Sequence, residues 1–150
     1  MTEPASGGVR GLGELALRVD DLDAMTAFYR DVVGLSVLRE FDHATFFDVS
    51  EGYGGHTTIV ALFDRAGEES ALDDPDTSYT PPDAAATTVD HFAFTVARED
   101  FDAERERLES LGVALEFATH EWVSWRSLYF SDPEGNSVEF VCYDPAVADD

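Results

Sequence analysis

The chain has 150 residues, of which 32 are acidic and 9 basic, giving a formal net charge of −23. Such a charge repels phosphate backbones and anionic bilayers, so neither nucleic acid nor membrane is an expected partner. Hydrophobic residues at 44% and aromatic ones at 12% supply enough material for a core, which argues against disorder.

Length favours a single domain spanning 1–150. No apolar run approaches the roughly 20 residues of a membrane span. Met1 to Gly8 has neither the basic start nor the apolar stretch of a secretory signal. A lone cysteine, Cys142, fits a reducing interior, and its plain reading is a small buried strand residue. A cytoplasmic location is therefore expected.

In chain order, residues 12–19 read as a strand, with Leu15, Leu17 and Val19 alternating against Glu14, Ala16 and Arg18. Asp20 or Asp21 can cap a helix in which Leu22, Met25, Tyr29, Val32 and Val33 recur, with Gly34 as its stop. Strands are expected at 35–41, 44–49 and 56–63, the last following the turn Gly52-Tyr53-Gly54-Gly55. Residues 65–87, with Asp73-Asp74-Pro75-Asp76 and Pro81-Pro82, read as an exposed linker. The same order then returns. A strand is expected at 89–96, and then a charged helix with Phe101, Leu108 and Leu111 inward and Gly112 at its end. Strands near 113–118, 124–130 and 137–143 complete the set, the last two joined by the turn Asp132-Pro133-Glu134-Gly135-Asn136. Glu14 maps onto His91 and His43 onto His120 at an offset of 77, so the chain contains an internal repeat. The two halves are expected to pack together as one domain.

Every basic residue is arginine, and the acids are dispersed over loops (Asp73, Asp74, Asp76), a helix face (Glu104, Glu106, Glu109) and the C-terminus (Asp149, Asp150). A dispersed acidic surface repels itself in dilute salt and is relieved when counterions screen it. In this respect the chain resembles proteins of salt-in halophiles.

Two tandem strand-helix-strand-strand-strand units resemble the vicinal oxygen chelate superfamily. That superfamily includes glyoxalase I, bleomycin-resistance proteins, fosfomycin-resistance enzymes, epimerases and extradiol ring-cleaving dioxygenases. The resemblance rests on Glu14 to Leu22, Phe28 to Leu35, His91 to Val96 and Asp132 to Phe140, and it covers roughly residues 10–145. It implies an α+β fold of tandem βαβββ units, 10–64 and 89–145 with 65–88 between them, forming one curved mixed-sheet half-barrel with a central cavity. It places metal ligands on the first and last strands of each unit, here Glu14, Val60, His91 and Glu139. Val60 cannot coordinate. His56, four residues earlier on the same strand face, either replaces it or lines the cavity. Each donor also has a plain reading: Glu14 and Glu139 as solvated acids, His91 as an ordinary core or surface histidine.

The segment from His120 to Glu139 resembles the signature of extradiol dioxygenases, with a histidine, a tyrosine nine residues on, then Asp-Pro-x-Gly and the ligand glutamate. The match implies Glu139 as ligand, with His120 and Tyr129 contacting substrate as the catalytic pair. Strand packing for Tyr129 and a solvated loop edge for His120 are the alternatives. Two departures stand out. The family's first ligand is histidine where this chain has Glu14, and 66–90 holds no histidine to serve as the family's catalytic one. One histidine with two carboxylates is a hard donor set. The expected cofactor is a divalent metal, Fe(II) or Mn(II) first, with Zn(II), Ni(II) or Mg(II) as alternatives.

The expected function is a metal-dependent enzyme acting on a small-molecule substrate with adjacent oxygens, extradiol-dioxygenase-like ahead of glyoxalase-like, in a homodimer. The rival is metal-free sequestration of an aromatic ligand, as in bleomycin-resistance proteins, with Trp122, Trp125, Tyr129, Phe46, Phe47 and Tyr53 as its surfaces.

Overall fold

The computed structural model describes residues 7–66 and 88–147. Most of the expected linker, 67–87, lies outside the described residues, as do Asp149 and Asp150. The chain divides into two compact units, Met1–Pro81 and Pro82–Asp150. Each repeats the expected order of one strand, one helix and three strands, so the fold is α+β and built of tandem βαβββ units. No described helix is long and apolar enough to cross a membrane.

Unit 1 contains β1 (Glu14–Val19), α1 (Leu22–Ala27), β2 (Ser36–Phe41), β3 (Ala44–Glu51) and β4 (Thr57–Asp64). Its sheet has the order β1-β4-β3-β2, with β1 parallel to β4 and the other pairs antiparallel. Asp21 is the residue that caps α1, its carboxylate accepting from the Ala24 N–H at 3.0 Å. The helix expected over 22–33 is α-helical only to Ala27 and then widens into a π-helical stretch, Phe28–Val33. Its buried residues explain the change. Met25, Tyr29 and Val33 are spaced by four, which outruns a 3.6-residue turn. Widening keeps all three against the sheet. Gly34, at φ 93°, then ends it, donating to the Tyr29 carbonyl at 3.1 Å.

Unit 2 contains β5 (Phe92–Thr95), α2 (Arg98–Ser110), β6 (Glu116–His120), β7 (Trp125–Ser131) and β8 (Ser137–Tyr143). Its sheet repeats the order as β5-β8-β7-β6. β5 is shorter than the expected 89–96, so His91 stands just ahead of the strand. β6 begins later than 113 because the Val113 N–H is used to close α2, donating to the Leu108 carbonyl at 3.1 Å. Phe101 and Leu108 are buried as expected, whereas Leu111 is exposed because it lies past the last helical turn. One sheet face packs its aromatic residues on each other, Phe130 against Phe140 at 5.3 Å and Phe94 against Phe140 at 6.4 Å. Arg126 leaves this same face and covers the Phe101 ring of α2 at 4.6 Å. The opposite face carries the polar chemistry.

Candidate functional site

Unit 2 gathers four of the six site residues expected from the sequence. Tyr129 on β7 and Glu139 on β8 are direct partners in register, so both leave the same sheet face. His91 Nε2 lies 3.0 Å from Glu139 Oε1. On its other side, His91 Nδ1 lies 2.6 Å from Asp90 Oδ1. Glu139 Oε2 accepts a 2.5 Å hydrogen bond from the Ser127 hydroxyl. His120 Nε2 and the Tyr129 hydroxyl are 3.1 Å apart, and the His91 and Tyr129 rings meet edge-on at 5.8 Å. A connected line therefore runs from Asp90 through His91 and Glu139 to Ser127, with Tyr129 and His120 beside it.

Glu139 is only 5% exposed. A buried carboxylate is costly unless it is paired and hydrogen-bonded, and His91 and Ser127 meet that need. The hydrogen bond that His91 donates to Asp90 raises the imidazole above the ordinary histidine range; burial opposes it and the Glu139 charge adds to it. Burial pushes the Tyr129 phenol up, and the Glu139 charge pushes it further. Both effects keep protons in place, so Tyr129 remains a hydroxyl able to donate.

The sequence reading singles out neither Ser127 nor Asp90. Ser127 did carry a signal: it precedes Tyr129 by two residues, so alternation puts it on the Glu139 face. Asp90 carried none beyond adjacency, in a chain where acids are common.

Glu14 and His56 belong to unit 1. Glu14 opens β1 and is exposed. His56 precedes β4, and a methyl group on Gly13 would stand 3.3 Å from its Cε1. It lines a cleft of about 460 Å³ with Arg10, Glu51, Tyr53 and Thr58.

The assignment of Val60 as the fourth ligand position is corrected by the register. Val60 pairs with Phe47, whose ring meets Tyr29 of the helix at 6.3 Å, so Val60 faces the helix. In unit 2 Glu139 pairs with Ala93 and Tyr129; in unit 1 the corresponding residue, pairing with Ala16 and Phe46, is Ala61. The strand argument that put His56 on the Val60 face loses its basis with it. Ser127 pairs with Val141 as Ala44 pairs with Phe63, so Ala44 is the counterpart of Ser127. Unit 1 thus has Glu14, Ala61, Phe46 and Ala44 where unit 2 has His91, Glu139, Tyr129 and Ser127. Only one of the four is a donor.

Residues 11–140 match the Glyoxalase/Bleomycin resistance protein/Dioxygenase superfamily. The chain belongs to this superfamily. Among solved structures it is similar to a lactoylglutathione lyase from Agrobacterium tumefaciens, at 31% identity over 93% of this chain and 96% of that one, with a TM-score of 0.64. A glyoxalase/dioxygenase from Nostoc punctiforme matches at 24% identity over 96% and 98% of the two chains, with a TM-score of 0.64. The genomically encoded fosfomycin resistance protein FosX from Listeria monocytogenes, as a variant complexed with Mn(II) and 1S,2S-dihydroxypropylphosphonic acid, matches at 21% identity over 89% and 90%, with a TM-score of 0.59.

The superfamily raises the question of a divalent ion, and unit 2 holds two ligand-type atoms side by side. Two donors about 2.1 Å from one ion stand about 3 Å apart in octahedral geometry and about 3.4 Å apart in tetrahedral geometry. His91 Nε2 and Glu139 Oε1 are separated by 3.0 Å. A carboxylate on the remaining imidazole nitrogen and a hydroxyl on the remaining carboxylate oxygen are the outer partners that orient such ligands. Among the described residues no group of three or more His, Cys, Asp or Glu side chains is arranged to hold an ion. The pair supplies two donors.

Proposed function

We propose that this superfamily member is a divalent-metal-dependent enzyme acting on a small molecule with two neighbouring oxygens. The observation that carries the reading is the line Asp90–His91–Glu139–Ser127, with its 3.0 Å gap between two ligand-type atoms. His91 and Glu139 would hold the ion. Glu14 is proposed as a further donor on the family pattern alone. Imidazole with carboxylate suits Fe(II) or Mn(II) first, with Zn(II), Ni(II) and Mg(II) as alternatives. When bound, such an ion polarises substrate oxygens as a Lewis acid.

The chain's own groups would do the rest. Tyr129, kept protonated by burial and by Glu139, offers a hydrogen bond to a substrate oxygen. His120, 3.1 Å from the Tyr129 hydroxyl, is placed to take up or return a proton. This pair favours extradiol-type ring cleavage. A second reading, glyoxalase-type isomerisation, is supported by the 31% identity to the lactoylglutathione lyase.

The test uses full-length protein loaded with Fe(II) or Mn(II) in about 1 M KCl, where surface charge is screened. A coloured ring-opened product from a catechol panel under oxygen supports the first reading. Conversion of a methylglyoxal–thiol hemithioacetal supports the second. If the protein binds no ion but does bind aromatic ligands, the enzyme reading fails and sequestration takes its place.

A further inference from the structure

We infer that Ser127 is a positioning residue for Glu139, tying one carboxylate oxygen so that only the other is presented beside His91. The inference rests on the metal reading proposed above.

Ser127 is fully buried and Glu139 nearly so, so water does not compete for the bond between them. The Ser127 hydroxyl donates to Oε2 at 2.5 Å, in the short range of a charge-assisted bond, while Oε1 stands 3.0 Å from His91 Nε2. The two oxygens therefore have separate tasks. A carboxylate free on both oxygens turns about its terminal bond and can embrace an ion with two donors. One held by a hydroxyl offers a single donor in a fixed direction. Ser127 is not the register partner of Glu139, since Tyr129 is; the hydroxyl reaches it diagonally from two residues away along β7.

Unit 1 provides an internal comparison. Where Glu139 gives way to Ala61, Ser127 gives way to Ala44. The hydroxyl and the carboxylate are present together or absent together. A serine serving only to fill the β7 core has no reason to track the acid.

The experiment titrates Mn(II) alone into metal-free full-length wild type, Ser127→Ala and Ser127→Thr in about 1 M KCl, which suppresses diffuse binding to the acidic surface. Calorimetry reads affinity, infrared difference spectra on Mn(II) loading read the carboxylate stretches, and melting of the metal-free forms reads stability. Ser127→Ala is expected to weaken Mn(II) binding about 10–100-fold, the usual effect of losing an outer partner. Its carboxylate bands should move from the one-oxygen toward the two-oxygen pattern, and Ser127→Thr should restore both. The alanine spectrum decides alone if the threonine methyl does not fit. Equal affinity with unchanged bands overturns the inference and leaves the metal reading standing. A lower melting temperature with unchanged bands assigns Ser127 to packing and also overturns it. A wild type that binds no Mn(II) overturns the metal reading and this inference with it.

Discussion

His91 stands between two carboxylates, Asp90 at 2.6 Å and Glu139 at 3.0 Å. Its folded pKa is raised chiefly by Asp90. The extra stability from its charged form is fully present below the unfolded value of about 6.5 and is lost as pH rises through the raised folded value. The side chain is 38% exposed, so solvent screens part of this gain. A divalent ion at Nε2 must displace the proton, so ion affinity should rise with pH across the same window. An NMR titration of the metal-free protein should place the His91 midpoint above the ordinary histidine value, and Asp90→Asn should bring it back down. A midpoint unmoved by Asp90→Asn would contradict the assigned cause.

Glu139, Tyr129 and His120 were legible in the sequence because their spacing matches a known signature, and His91 because it falls at the repeat position of Glu14. Ser127 was harder to see, since a serine on a strand has no chemistry until its neighbour is known. The one-residue error at Val60 has the same root. No histidine or acid in residues 57–63 pins the strand's register, so only its pairing shows that Ala61 is the counterpart of Glu139.

At the scale of elements, the β7–β8 turn decides whether Tyr129 faces Glu139. Asp132, 5% exposed, holds that turn by accepting from the N–H groups of Glu134 and Asn136, both at 2.9 Å, and from the Asn136 amide at 2.8 Å. Gly135 supplies the left-handed backbone at φ 88°. Asp132→Ala strands those donors and is expected to cost about 1–3 kcal/mol in denaturant unfolding. No measurable loss would mean that the turn does not fix the register. This turn was readable because its residues have strong local preferences. The boundaries of β5 and β6 were not, because β5 is limited by its pairing with β8 and β6 by the closure of α2. The widening of the first helix was equally hidden, since it answers to burial of Val33 rather than to propensity.

For the whole molecule, the net charge of −23 is poorly compensated from within. Arg30, Arg65, Arg105, Arg107 and Arg126 stand against carboxylates, and 9 arginines cannot match 32 acids one for one. Screening shortens from about 10 Å at 0.1 M salt to about 3 Å at 1 M. The melting temperature should therefore climb by several degrees over that range of KCl, and a flat response would contradict a repulsive surface. Against this background Glu139 is an acid of another kind, answering to His91 and Ser127 rather than to solvent. Its counterpart Ala61 cannot bind an ion, so the two repeats are not equivalent and each chain should hold one ion. Calorimetric titration of Mn(II) into the metal-free full-length chain in about 1 M KCl tests this most directly. The predicted result is one ion per chain in the wild type, and in Glu139→Gln an affinity loss beyond the roughly 10–100-fold of an outer partner. A wild type that binds no stoichiometric ion, or a Glu139→Gln protein that binds it equally well, would contradict the assignment.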